Sequence, residues 1–232
     1  MAKKIQSVNT KNAIEKRKEF LARSLEDLES CTVHLSLGNS KTGPIPSFSV
    51  LPLLSCTNCG ECSKKCYACK GNFNFNRNIN GLAENTALLM EKPYEVEKAI
   101  NEFLNCKTII YKFFRWNVAG DIAGVVLDQY FPLIVRIAEK NPLTTFLMFT
   151  KNYKLINDYI SSGHFLPQNL NIVFSRWHNT PIENPYGLPV AIVKIDETTE
   201  IPVGAFHCDG DCSNCLKCWR IEQEEAVYFD LH

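Results

Sequence analysis

Nine of the eleven cysteines of this 232-residue chain fall in two short runs. The first is Cys56-x2-Cys59-x2-Cys62-x3-Cys66-x2-Cys69, and the second is Cys208-x3-Cys212-x2-Cys215-x2-Cys218. Two intervening residues let neighbouring thiolates reach one metal ion or one face of an inorganic cluster. Zinc sites are usually two such pairs separated by a long spacer, whereas these cysteines run in threes and fours. The spacing therefore predicts iron–sulfur ligation, with 4Fe–4S as the expected cluster and Zn as the alternative. The two runs need not hold the same metal. Lys64, Lys65 and Lys70 flank the first run, and Lys217 and Arg220 flank the second. Nearby cations favour the thiolate and offset the negative charge of a thiolate-bound centre. Cys31 and Cys106 stand alone and read as structural thiols.

Something must carry these runs to one place. Thr10 to Glu29 has Ile14, Phe20, Leu21, Leu25 and Leu28 at helical spacing and predicts an amphipathic helix packed on the body. Residues 31–38 alternate and predict a strand; residues 39–55, with Pro44, Pro46 and Pro52, predict an extended loop. Residues 71–80 read as polar loop, and 81–105 as two helices broken near Pro93. Strand then alternates with helix: strands at 108–114, 144–150, 170–175, 188–195 and 203–206, helices at 121–141 and 153–163. Pro132 is expected to kink or split the first of those helices. Near-continuous apolar strands between helices indicate a mostly parallel sheet. The fold expected is a single α/β domain over 1–232, an incomplete (β/α)6-like barrel with Cys-rich metal-binding loops. Its parts are an N-terminal helix (1–30) and cysteine loops at 56–70 and 207–219. A complete eight-stranded barrel needs about 250 residues. A doubly wound open sheet is the alternative.

Polar residues gather where the strands should end: Asn39, Ser40 and Lys41, then Arg115, Asn117 and Asp121, then Lys151, then Arg176 and His178. Ligands of parallel α/β folds bind at the C-terminal strand ends. Arg115, Lys151 and Arg176 are accordingly expected to grip a small anionic substrate, since guanidinium groups match carboxylate and phosphate. The plainer expectation is ion pairing of the arginines with Asp121, Asp209 or Asp211. His207 and His34 read as structural, and the tryptophans as core or wall residues. Glycine-rich phosphate loops and a local nucleophile triad are absent from the sequence. Net charge is zero, with 45% apolar and 22% charged residues, which gives no general attraction to nucleic acid. No secretory signal and no membrane span is read, so the expected location is the cytoplasm, where thiols stay reduced.

Cys56 to Cys66 resembles the bacterial ferredoxin run C-x2-C-x2-C-x3-C, with Tyr67 where those proteins have Pro. Cys62-x3-Cys66-x2-Cys69 is similar to the motif that holds the catalytic 4Fe–4S cluster of radical S-adenosylmethionine enzymes. That family places the motif after the first strand of a partial barrel and a Gly-Gly-Glu-type turn after the second. Gly120-Asp121 stands near the second position and is expected, by that resemblance, at the cofactor. Ala68 stands where the family has an aromatic residue before the third cysteine. A broader resemblance rests on "LSLGNSKTGPIPSFSVLPLLSC", "KKCYA", "FRWNVAGDI" and "CDGDCSNCLKCW". These resemble the gene product 88 family of phages and prophages. The resemblance implies a phage-type origin, hence the host cytoplasm, and a cysteine-bound metal centre. Two functions are thus expected: a phage-type iron–sulfur protein acting as a redox or radical enzyme, or a metal-stabilised module that binds nucleic acid or a host protein.

Overall fold

The computed structural model describes residues 7–56 and 59–231. Its strands are β1 (Leu35–Ser36), β2 (Ser47–Phe48), β3 (Phe113–Trp116), β4 (Thr145–Thr150), β5 (Leu170–Trp177), β6 (Val190–Lys194), β7 (Phe206–His207) and β8 (Ala226–Asp230). They form one sheet in the order β1-β2-β3-β4-β5-β6-β8-β7. Only the β1–β2 pairing is antiparallel. The helices are α1 (Thr10–Glu26), α2 (Gly60–Lys65), α3 (Asn76–Glu91), α4 (Pro93–Leu104), α5 (Leu127–Lys140), α6 (Tyr153–Ser161) and α7 (Cys212–Cys215).

From β2 to β6 each new strand joins the same edge, without the mid-sheet reversal of a doubly wound fold. The long helices α3, α4 and α5 cover one face. Phe48, Phe114, Trp116, Phe146, Met148, Ile172 and Phe174 meet Leu88, Val96, Ile100, Tyr130 and Ile134 from α3, α4 and α5. The opposite face carries Leu147, Val173, Ala191 and Val227 and is filled by the chain's own Ile45, Trp219 and Ile221. No strand pairing joins β1 to β7 among the described residues, so the sheet is not a closed barrel. Its edges nevertheless communicate. The Cys212 amide donates to the Lys41 carbonyl (2.7 Å), and a Cβ on Gly43 would lie 2.9 Å from Ser213 Cβ.

Two strands lay hidden in the sequence. The predicted loop 39–55 contains β2. Its prolines are harmless there because the backbone mainly accepts: Arg115 and Asn117 amides donate to the Pro46 and Phe48 carbonyls, both at 2.9 Å. β8 follows the acidic stretch 222–225 and was not expected. Conversely, the strand predicted at 31–38 shrinks to β1. The strand predicted at 108–114 begins only at Phe113, leaving Ile109 and Ile110 exposed. The polar loop predicted at 71–80 is a short 3-10 turn followed by the start of α3. The break at Pro93 is observed, and α5 runs through Pro132.

Glu97 pins α4 to α5. Its nearly buried carboxylate accepts from Arg136 Nε (2.8 Å) and Lys140 Nζ (2.6 Å). Burial alone would raise its pKa; the two cations overcome that and hold it below the usual carboxylate range. A lowered folded-state pKa adds stability that is present above the unfolded value and lost as pH falls through the folded one. Glu97→Gln is expected to cost about 1 kcal/mol at pH 7, because both cations are half-exposed. Urea melts of both proteins should show that difference shrinking toward pH 3.

Candidate metal centre

The first cysteine loop leaves the C-terminal end of β2 and is clamped by the loop that leaves β3. The Ala123 amide donates to the Ser55 carbonyl and the Val125 amide to the Leu54 carbonyl, both at 3.1 Å. Ser55 Oγ accepts from the Asp121 amide (3.2 Å) and donates to the Leu51 carbonyl (2.7 Å). Gly124 has φ +57°, and a Cβ there would fall 2.0 Å from the Leu54 carbonyl oxygen. Gly120, at φ +82°, leaves room for Ser55 Oγ and Val50, which a Cβ would approach to 2.6 Å. Gly124→Ala therefore demands both a strained backbone and a displaced loop, and is expected to cost about 2–4 kcal/mol. Thermal melts check this, and metal content should fall with it.

Asp121 completes the clamp. One carboxylate oxygen accepts from the Ile122 amide (2.8 Å) and Thr150 Oγ1 (2.6 Å), and the other from the Lys151 amide (2.8 Å). Burial raises its pKa against those hydrogen bonds. The observed contacts of Gly120 and Asp121 are thus with the chain itself. Both tie the tips of β3 and β4 to the cysteine loop.

Within the first group the thiols influence one another in pairs. Cys59 and burial lift Cys56 well above the ordinary thiol pKa, and Cys56 in turn lowers Cys59. Cys66 and burial raise Cys69, and Cys69 brings Cys66 to about 7 against the cost of burial. Cys62 lies in the fields of Cys59 and Cys66, and burial raises its pKa. Lys151 favours the ionised form of Cys59, Cys62 and Cys66, and its ammonium donates to Ser175 Oγ (3.0 Å).

The second group is the segment after β7. Cys208, Cys212, Cys215 and Cys218 lie in one another's fields. Burial raises Cys212, and burial with three neighbouring thiols pushes Cys218 up to about 12. Asp211 caps α7 through the Ser213 amide (3.0 Å). Trp219, next to Cys218, is buried against Phe113, and its carbonyl accepts from Asn171 Nδ2 (3.0 Å). The cysteines that act most strongly on each thiol belong to its own run, and Arg115 acts on the surroundings of both. Its field reaches Tyr67 on one side and Cys212 and Cys218 on the other, and its guanidinium lies 5.2 Å from the Phe149 ring centre.

Strand register explains which cations gather. Side chains alternate faces along a strand. Arg115 pairs in register with Leu147, so it shares the face of Leu147, Phe149 and Lys151. Arg176 shares the opposite face with Phe174, and its guanidinium donates to the Glu200 carbonyl. Arg115 and Lys151 thus lie on one face, within reach of the cysteines, while Arg176 lies on the other and acts, like Cys62, on Tyr153. No carboxylate lies within ion-pair distance of Arg115, Lys151 or Arg176 among the described residues. His207 points away from the thiols toward Asp230 (3.1 Å), and His34 bonds Glu84 (2.7 Å).

The residue that sequence reasoning missed is Arg17 of α1. It is fully buried, and its field favours the thiolates of Cys66 and Cys69. The signal was present, since position 17 falls between Ile14 and Leu21 on the apolar stripe.

No three His, Cys, Asp or Glu side chains stand ready-made at metal-binding separation among the described residues. The donor chemistry nonetheless fits a thiophilic ion or cluster: two all-sulfur groups face cations, and Asp121, the carboxylate beside the first, has both oxygens engaged by Ile122, Thr150 and Lys151. The fold and the site define a singly wound α/β protein with one cysteine group after the C-terminal end of β2 and a second over the sheet face that Trp219 and Ile221 fill. The chain matches the family model described as Gene product 88 over residues 5–218 and belongs to that family. No curated protein and no solved structure matches it. No helix of the described residues is long and apolar enough to cross a membrane.

Proposed function

We propose that this is a phage-type iron–sulfur protein with two cysteine-bound centres, a redox or radical enzyme acting on an anionic substrate at the first. One observation carries the reading: nine thiols gather in two separate groups whose charged neighbours include Arg115 and Lys151, cations with no carboxylate partner. Cys56, Cys59, Cys62, Cys66 and Cys69 would supply the first centre, and Cys208, Cys212, Cys215 and Cys218 the second. When bound, a 4Fe–4S cluster at the first centre supplies one-electron reduction. Arg115, Lys151 and Arg176 hold an anionic substrate beside it, while Asp121 and Ser55 fix the loop from below.

The chain order of the six parallel strands β2, β3, β4, β5, β6 and β8 supports a partial barrel, with the Cys62-x3-Cys66-x2-Cys69 loop after its first strand. That placement supports kinship with the radical S-adenosylmethionine enzymes. A second reading applies to the second centre. Its cysteines lead directly into Trp219 and Ile221, which fill the inner face of the sheet. This favours a structural staple there, with Zn or a saturated cluster as the ion, and leaves room for a binding role toward nucleic acid or a host protein.

The test is spectroscopic. Protein purified without oxygen is mixed with S-adenosylmethionine. A brown protein whose cluster signal shifts supports the radical enzyme. A brown protein with no shift restricts it to redox or structural work. A colourless protein with stoichiometric zinc defeats the enzyme reading.

A further inference from the structure

The guanidinium of Arg17 is fully buried. Nη1 donates to the Ala13 carbonyl (3.1 Å) within its own helix, and Nη2 to the Ala68 carbonyl (3.0 Å) between Cys66 and Cys69. Nε has no partner. A guanidinium cannot shed its proton in a protein, so this charge stays. Burying a charge without an opposite one is among the most destabilising arrangements known. No carboxylate pairs with Arg17 among the described residues. The ionisable groups set beside it are the thiols of Cys66 and Cys69.

The helix that carries Arg17 is tied to the cysteine loop elsewhere too. The Val8 amide donates to the Lys64 carbonyl at the end of α2 (2.8 Å), and Lys16 Nζ donates to the Asn74 carbonyl (3.1 Å). Phe20 and Leu21 pack with Leu51, Ala68, Ile79 and Ala83.

We propose that Arg17 is the counter-charge of the first centre, so that docking of α1 depends on that centre being filled. This rests on reading Cys56–Cys69 as ligands. A thiolate-bound centre keeps negative charge beside Arg17 permanently. Stripping the centre removes that charge from beside a buried guanidinium whose Nε has no partner and whose Nη2 holds only the Ala68 carbonyl, and α1 loosens. Arg17 is a positioning residue: it touches the loop backbone and acts on the centre through its field.

Amide hydrogen exchange along α1 tests this in anaerobically purified protein, before and after stripping with a chelator. Wild type should exchange at least tenfold faster across Thr10–Glu26 once stripped. Arg17→Met should hold less metal at the first centre only, and its α1 should exchange alike with and without chelator. Arg17→Lys, which keeps the charge, should restore most of both properties. Equal α1 exchange in loaded and stripped wild type overturns the proposal, and that comparison needs no variant to fold. So does Arg17→Met with full metal and an intact response. A wild type that binds no metal removes the reading of the ligands itself, a different result from metal bound but α1 indifferent to it.

Discussion

Cys66→Ser is expected to abolish metal at the first group while the second keeps its full complement, and Cys218→Ser to do the reverse. The expectation follows from the separation of the groups. Cys66 answers to Cys69 and lies in the fields of Arg17 and Lys151, whereas Cys218 answers to Cys208, Cys212 and Cys215. Replacing sulfur by oxygen changes little volume but removes the soft donor that such ions select. Metal per chain and cluster absorption read the outcome directly. The two variants should differ in a second property. Loss of the second centre frees the segment that delivers Trp219 and Ile221 to the inner sheet face, so Cys218→Ser should melt lower than Cys66→Ser. Loss of all metal in either variant would mean one shared centre.

Asp121→Ala should be the most damaging single substitution outside the cysteines. It strands three buried donors: the Ile122 and Lys151 amides and the Thr150 hydroxyl. Leaving buried donors unmatched, with the carboxylate that served them gone, costs about 3–5 kcal/mol. For a chain of this size that corresponds to a melting temperature lower by roughly 10 °C. Asp121→Asn keeps the shape but replaces one acceptor by a donor, and should recover about half of the loss. Differential scanning calorimetry of the three proteins decides it. A melting temperature within 2 °C of wild type for the alanine variant, in units of roughly one kcal/mol, would mean the clamp contributes little.

The sequence showed much of this arrangement, though unevenly. The cysteine runs were legible because ligand spacing is local. The α3–α4 break was legible because Pro93 is a local signal. β2 was not, because a two-residue strand between prolines is defined by what it pairs with, and its partners lie near Arg115. Arg115 and Lys151 could be picked as strand-end cations, but their separation from Arg176 depends on register. That became visible only once Arg115 was paired with Leu147 and Phe174 with Thr150. Asp121 was found by a turn-like motif. Its three bonds come from two loops that the sequence alone does not bring together. Arg17 was overlooked because a basic residue in an amphipathic helix is ordinarily on the wet side; here the apolar stripe ran through it.

The most direct test is elemental: iron, zinc and acid-labile sulfide per chain in protein isolated without oxygen. We expect two thiolate-held complements per chain, iron with matching sulfide at the first group and either iron or zinc at the second. Protein that contains neither metal, yet shows native helix content and a cooperative melt, would contradict the account.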